Sequence, residues 1–164
     1  MYSGALNAFT DSTGEAINTD NNTTENIYEV AKYYKSKNID WIAIAGENYG
    51  EGSSREHAAM EPRFMGCKII LAKSFARIAQ TNLKKQGIIP LIFENKSDYD
   101  LIEPFDTIST INIEEFSSKN NIKLCLKKPD GTTHTINTIH TFSDNQILWF
   151  KAGSALNLIA SQLN

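Results

Sequence analysis

The chain has 164 residues, of which 41% are hydrophobic and 21% charged, with a formal net charge of −3 and a pI near 5.6. That composition describes one globular domain long enough to bury a core and too short for two full domains. The longest apolar runs, Ile39 to Ala45 and Ile88 to Phe93, fall far short of the roughly 20 residues of a membrane-spanning helix. No basic-then-apolar leader opens the chain, so it does not read as secreted.

Residues 1 to 22 are polar, lack a sustained period and end in Thr19-Asp20-Asn21-Asn22, so they read as a lead-in or linker, with the folded domain running from 23 to 164. Ile27, Val30, Ala31 and Tyr34 then recur at helical spacing, with Lys35 and Lys37 near the end, where cations suit the helix dipole. Asp40 to Ala45 has the length and composition of a buried strand stopped by Gly46. A glycine-rich loop, Glu47 to His57, runs into a helical segment at Ala58 to Arg63, and Lys68 to Ala72 is the next strand. Ser74 is placed to cap a helix with Phe75, Ile78, Ala79 and Leu83 on one face and with Lys84, Lys85 and Gly87 as stop signals. Ile88 to Phe93 follows as a strand that Pro90 assigns to an edge or a bulge.

This alternation of strand and helix predicts an α/β layer with parallel pairing. Beyond residue 100 the pattern turns β-rich. Asp106 to Ile113, Ile122 to Lys127 and Thr133 to Ile139 read as strands, the last two joined by the turn Pro129-Asp130-Gly131. Ser143 to Gln146 has capping-box spacing and opens a helix toward Gly153, and Ser154 to Leu163 is a second helix.

The basic residues comprise thirteen Lys and three Arg, and the three, Arg55, Arg63 and Arg77, lie within 23 consecutive positions. A guanidinium matches a carboxylate or phosphate at two points, so the cluster points to an anionic ligand. In Gly50-Glu51-Gly52-Ser53-Ser54-Arg55-Glu56, alternate glycines permit positive φ and close approach, and the segment feeds a helix N-terminus whose N–H groups are unsatisfied. Ser54 and Arg55 add side-chain donors for the same anion. The competing reading is a capping box from Ser53 to Glu56, which needs no ligand.

The loop is neither a phosphate-binding Gly-Lys-Ser/Thr sequence nor a dinucleotide fingerprint. His57 reads either as a proton carrier or as a hydrogen-bonded core residue orienting the loop. Glu47 and Glu51 read as solvating the turn rather than as acids, and Arg63 and Arg77 read as pairing with Glu residues such as Glu61 as readily as with a ligand. Cys67 and Cys125, 58 positions apart, make neither a disulfide framework nor a metal spacing and point to a reducing compartment. His134 and His140 have no neighbouring Cys, so no metal site is expected. The acidic charge and the scattered Lys argue against a nucleic-acid face.

Gly46 to Arg63, followed by Lys73 to Ile78 and Thr81 to Gly87, resembles the C-terminal swivelling domain of aconitases of the mitochondrial type, and the resemblance extends more weakly to Ile147 to Asn157. It implies a layered β/β/α swivelling domain with a partly parallel sheet, a β-rich second half and C-terminal helices. It also implies a hydro-lyase that interconverts citrate and isocitrate through cis-aconitate at a 4Fe-4S cluster. Ser53 matches the family's catalytic base, and Ser54 and Arg55 match residues that bind a substrate carboxylate, with Gly50, Gly52 and His57 supporting the loop. The cluster belongs to the family's preceding domains, so those cluster-bearing domains are the implied partners and neither Cys67 nor Cys125 is expected to bind iron.

A further substrate-binding arginine of the family lies upstream of where this chain begins. The expectation is therefore a fragment inactive on its own, from an enzyme of the mitochondrial matrix or a bacterial cytoplasm, with no membrane partner. The alternative is a free-standing small subunit like that of isopropylmalate dehydratase, whose loop shares the Gly-Ser-Ser-Arg-Glu-His core. A non-catalytic RNA-regulating module is disfavoured by the acidic charge.

Overall fold

The computed structural model of the chain describes residues 1–53 and 55–163. The elements are β1 (Glu15–Asn18), β2 (Thr23–Asn26), α1 (Ile27–Ser36), β3 (Trp41–Ala45), α2 (His57–Phe64), β4 (Cys67–Ala72), α3 (Arg77–Lys85) and β5 (Ile89–Phe93). Then follow β6 (Thr107–Ile111), β7 (Lys123–Lys127), β8 (Thr133–Ile139), α4 (Asp144–Ala152) and α5 (Ala155–Leu163). A six-stranded sheet has the order β3-β4-β5-β8-β7-β6, parallel from β3 to β5 and antiparallel from β5 to β6. This mixed α/β sheet with two C-terminal helices is the expected architecture.

Period-two alternation assigns the sheet's two faces. In β4, Ile69 and Leu71 join one cluster with Leu91, Phe93, Leu124, Leu126, Ile136 and Ile147, while Ile70 joins another with Ala59 of α2 and Leu83 of α3; Cys67 joins this second cluster against the alternation, because the register with β3 shifts by one residue between Cys67 and Ile69. Parallel neighbours need crossovers, and α2 and α3 supply them on the same face. Both loops that leave the carboxyl ends of β3 and β4 therefore meet at one end of the sheet, where ligands of open α/β sheets collect. Full burial of each such aliphatic side chain contributes roughly 1.5–3 kcal/mol.

Several local expectations give way to packing. β3 is half-buried along its length, because it is the sheet's edge and has a partner on one side only. Pro90 lies in an interior strand, but β8 meets β5 only at Ile92 and Phe93, so the missing N–H at residue 90 deprives no neighbour of a bond. Ser74 does not cap α3, whose N-cap is Ala76 without a side-chain bond, and Ile78 is exposed rather than on the buried face. By contrast, Ser143 forms the expected capping box with Gln146, and Gly153 ends α4 in the left-handed region.

The expected start of the domain at residue 23 falls inside a hairpin, since β1 pairs with β2 from Glu15↔Asn26 to Asn18↔Thr23 and Asn18 is fully buried. Among the described residues no helix is long and apolar enough to cross a membrane.

Candidate functional site

The loop after β3 is stitched to the segment after β4 by backbone bonds from Tyr49 N–H to the Ser74 carbonyl and from Ala76 N–H to the Tyr49 carbonyl, both 3.0 Å. Freed from capping, Ser74 Oγ donates to Glu47 at 2.5 Å and accepts from Asn48 N–H at 2.8 Å, and Lys96 Nζ stands 2.7 Å from the same Glu47 carboxylate. Lys96 first, and then Ser74, hold the Glu47 carboxyl below its usual range. Glu47 thus braces the loop from outside, a role the solvated-turn expectation missed.

Gly50 and Gly52 both have positive φ, at +83° and +81°. A Cβ on Gly50 would stand 2.2 Å from the Cβ of Ala79, so the loop lies directly on α3; a Cβ on Gly52 would meet nothing. The first glycine serves close approach and the second only the turn.

The capping box expected from Ser53 to Glu56 does not form. The N-cap of α2 is Glu56, in helical conformation and without a side-chain cap bond, and its carboxylate instead accepts from Gln86 Nε2 at 2.8 Å. Among the described residues the Ser53 hydroxyl has no hydrogen-bond partner, while its N–H bonds the Gly50 carbonyl at 3.3 Å. Ser54, the second expected anion donor, lies outside the described residues.

Two spaces open from this loop. One is a cavity of about 230 Å³ walled by Tyr2, Tyr49, Gly50, Ser53, Arg55 and Asn82. The other is an open groove of about 820 Å³ between Gly50–Ser53 and the Arg77, Thr81, Asn82 and Lys85 side of α3. Ser53 borders both.

Arg55 is exposed and, among the described residues, has no acidic partner, so its guanidinium is available to an anion. Arg63 donates to the Gly153 carbonyl at 3.3 Å, and Glu61 lies 3.2 Å from the Met1 nitrogen instead of pairing with either arginine. Arg77 borders the groove. His57 is exposed, borders neither space and among the described residues makes no side-chain bond, contrary to the core reading.

The cavity's aromatic wall is tertiary in origin. Tyr2, 47 positions away in sequence, places its hydroxyl 2.7 Å from that of Tyr49, which packs edge-on against Phe75. Burial lifts the Tyr49 phenol to about 12 and Tyr2 further still, so both are neutral donors and acceptors near neutral pH.

Cys67 is fully buried in β4, its thiol pushed up to about 12 by burial, and Cys125 sits in β7. Among the described residues no group of three His, Cys, Asp or Glu could hold a metal ion. His140 is committed elsewhere, with Nδ1 accepting from Phe142 N–H at 3.1 Å and Nε2 3.1 Å from the Asn120 carbonyl. Tertiary geometry, not residue type, brings Tyr2 and Asn82 to the loop, of which Tyr49 is already a part. Tyr49 and Asn82 lie within the segments that carry the family resemblance, and Tyr2 has no sequence signal at all.

The family model described as the aconitase C-terminal domain matches residues 3–96. An aconitate hydratase, mitochondrial, from Gracilaria gracilis is 45% identical over 166 residues, covering 99% of this chain and 21% of that protein. A homocitrate dehydratase, mitochondrial, from Saccharomyces cerevisiae is 47% identical over 163 residues, covering 96% of this chain and 20% of its own length. The chain thus spans about a fifth of the curated relatives it matches. Among solved structures, a 3-isopropylmalate dehydratase from Methanocaldococcus jannaschii aligns with a TM-score of 0.52 and 25% identity, over 83% of this chain and 78% of that one.

Proposed function

The chain belongs to the aconitase C-terminal domain family, and from that membership we propose that it is the domain of an aconitate hydratase that carries the base and a carboxylate clamp. The observation that carries this reading is the Ser53 hydroxyl, released from the capping box and bordering both the smaller cavity and the wider groove.

Ser53 Oγ takes the proton from the carbon next to a substrate carboxylate. The C–H electron pair becomes the double bond as hydroxide leaves the adjacent carbon with the C–O electron pair; the proton taken up by Ser53 and the departing hydroxide together make up the water lost, and cis-aconitate forms. Return of water in the other orientation gives the isomer. A serine alkoxide is too basic to persist unaided, and the Arg55 guanidinium together with the N-terminus of α2 supplies the positive field that lowers its cost. Arg55, with Ser54 beside it in sequence, holds the carboxylate.

The family implies a 4Fe-4S cluster, but this chain offers no ligand set for one: Cys67 is buried in β4 with its thiol protonated, and Cys125 lies on a different strand. The cluster is accordingly assigned to other domains of the enzyme, which are this domain's partners, and the chain alone is inactive. The relatives' mitochondrial names support a matrix location, which cell fractionation tests.

A hydroxy-tricarboxylate one methylene longer is favoured as a second substrate by the homocitrate dehydratase relative. Pockets discriminate a methylene by only about 1–3 kcal/mol, so kcat/KM for citrate against homocitrate decides between them. The isopropylmalate alternative has weaker support, from a likeness at 25% identity.

The test is Ser53→Ala and Arg55→Lys in the complete cluster-loaded enzyme. Loss of a general base lowers kcat by roughly 10²–10⁴-fold with little change in KM, and Arg55→Lys raises KM by weakening two-point carboxylate binding. Activity within a few-fold of the parent in Ser53→Ala refutes the assignment.

A further inference from the structure

Ser74 is withheld from the role its place in the sequence suggests. The N-cap of α3 is Ala76, a poor capping residue, so the helix starts without a side-chain bond while a capping-type hydroxyl two residues earlier is turned elsewhere. Local stability forgone in this way is characteristic of groups held for a site.

What the hydroxyl holds is a junction between two segments. Ser74 Oγ donates to the Glu47 carboxylate at 2.5 Å and accepts from Asn48 N–H at 2.8 Å, with Asn48 Oδ1 a more distant 3.4 Å away. Asn48 stands in the left-handed region at φ +56°, so the N–H that Ser74 holds lies at the bend where the chain leaves the direction of β3. Tyr49, the next residue, is tied through both its N–H and its carbonyl to the Ser74–Ala76 segment. The two segments then run on to one contact. Gly50 follows on the first, α3 with Ala79 follows on the second, and the Ser53 N–H bonds the Gly50 carbonyl at 3.3 Å. The Lys96 ion pair with Glu47 is exposed at both ends, and exposed pairs contribute little, so the hydroxyl is the more demanding link.

We propose that Ser74 is a positioning residue for the reaction at Ser53. By fixing the bend at Asn48 it fixes how Gly50 meets Ala79 and, through Gly50, the direction of the Ser53 hydroxyl; it acts through the loop and not on the substrate. This inference rests on the hydro-lyase reading above and extends it to the segment after β4.

The test uses the complete cluster-loaded enzyme with S74A, which removes the hydroxyl, S74T, which keeps it, and E47A, which removes its acceptor. Three quantities are read: Tm, the Kd for propane-1,2,3-tricarboxylate, which does not react, and kcat and KM on citrate. Misplacement of about 1 Å costs on the order of 10²-fold in rate, whereas binding of the ground state tolerates such a shift. S74A is therefore expected to lose roughly 10- to 100-fold in kcat with Kd and KM within threefold of the parent. S74T should recover kcat to within threefold. Because S74A and E47A break one link, the double variant should be no more than threefold slower than the worse single variant.

A kcat within twofold of the parent in S74A overturns the proposal. So does a loss that S74T does not recover, a loss in kcat matched by one in Kd, or full additivity with E47A. If S74A does not fold, the same kcat and Kd thresholds apply to E47A; if neither folds, the pair belongs to the fold alone and the proposal is likewise overturned. Ser53→Ala in the same assays separates the two claims: if it is impaired while S74A is not, the hydro-lyase reading stands without Ser74. If Ser53→Ala is indifferent, both fall.

Discussion

Replacing Gly50 by alanine puts a methyl group where the loop already touches α3. Its Cβ would stand 2.2 Å from the Ala79 Cβ and 3.7 Å from the Ala79 Cα. Carbon atoms rest at about 3.5–4.0 Å, so loop and helix must separate by roughly 1.5 Å. Two costs add. A left-handed backbone costs an L-residue about 1–2 kcal/mol, and overpacking of this kind typically costs a further ~1–3 kcal/mol.

Gly52 supplies the control. It has nearly the same φ with open space around its Cβ position, so Gly52→Ala carries only the backbone term. For a domain of this size each kcal/mol shifts Tm by about 2–4 °C. Thermal unfolding of the chain should therefore show a loss of roughly 5–15 °C for Gly50→Ala and about half that or less for Gly52→Ala. The double variant Gly50→Ala with Ala79→Gly removes the clash while adding about 1 kcal/mol for a helical glycine. Its coupling energy should be stabilising by about 1–3 kcal/mol. Additivity within about 0.5 kcal/mol would refute the claim that contact with Ala79 places the loop. The displaced loop also carries Ser53, and misplacement of about 1 Å costs on the order of 10²-fold in rate.

Two further outcomes follow from burial. Lys84 donates to the Thr141 carbonyl at 2.6 Å, Thr141 Oγ1 at 2.7 Å and Gln146 Oε1 at 3.1 Å, with no carboxylate partner among the described residues, and burial lowers its ammonium to about 8. Between that value and the ordinary lysine range the unfolded chain binds the extra proton, so stability should rise with pH from about 8 to 10.5 relative to Lys84→Met. A flat or falling difference in denaturant midpoint across that window contradicts the assignment. Cys67, with its thiol raised to about 12, should resist iodoacetamide in the native chain at pH 8 while Cys125 is alkylated first. Equal labelling of the two under native conditions, read by mass spectrometry of the peptides, would show that β4 is not closed.

Local signals reach as far as their own period. The spacing of Ile27, Val30, Ala31 and Tyr34, the Ser143 capping box, the Pro129-Asp130-Gly131 turn and the three parallel strands were all legible in the sequence, because each is decided within a few residues. So was the loop around Ser53, since its paired glycines and the residues after them are contiguous. Packing decided the rest. Whether Ser53 caps α2 depends on where that helix starts, and Gln86, thirty positions beyond Glu56, takes up the carboxylate the box would have used. Whether Ser74 caps α3 depends on Glu47 and Asn48 arriving from another strand's loop.

Pro90 sits inside the sheet because β8 stops short of it, a matter of register between strands more than 40 residues apart. Tyr2 and Asn82 join the site because the chain's start folds back onto it and because α3 turns one particular face to Gly50. The residue types and spacings of this sequence determine its elements and its reactive loop. Which groups face that loop is set by crossovers and packing across the sheet, because hydrophobic burial is non-directional and acts between segments that no local spacing relates.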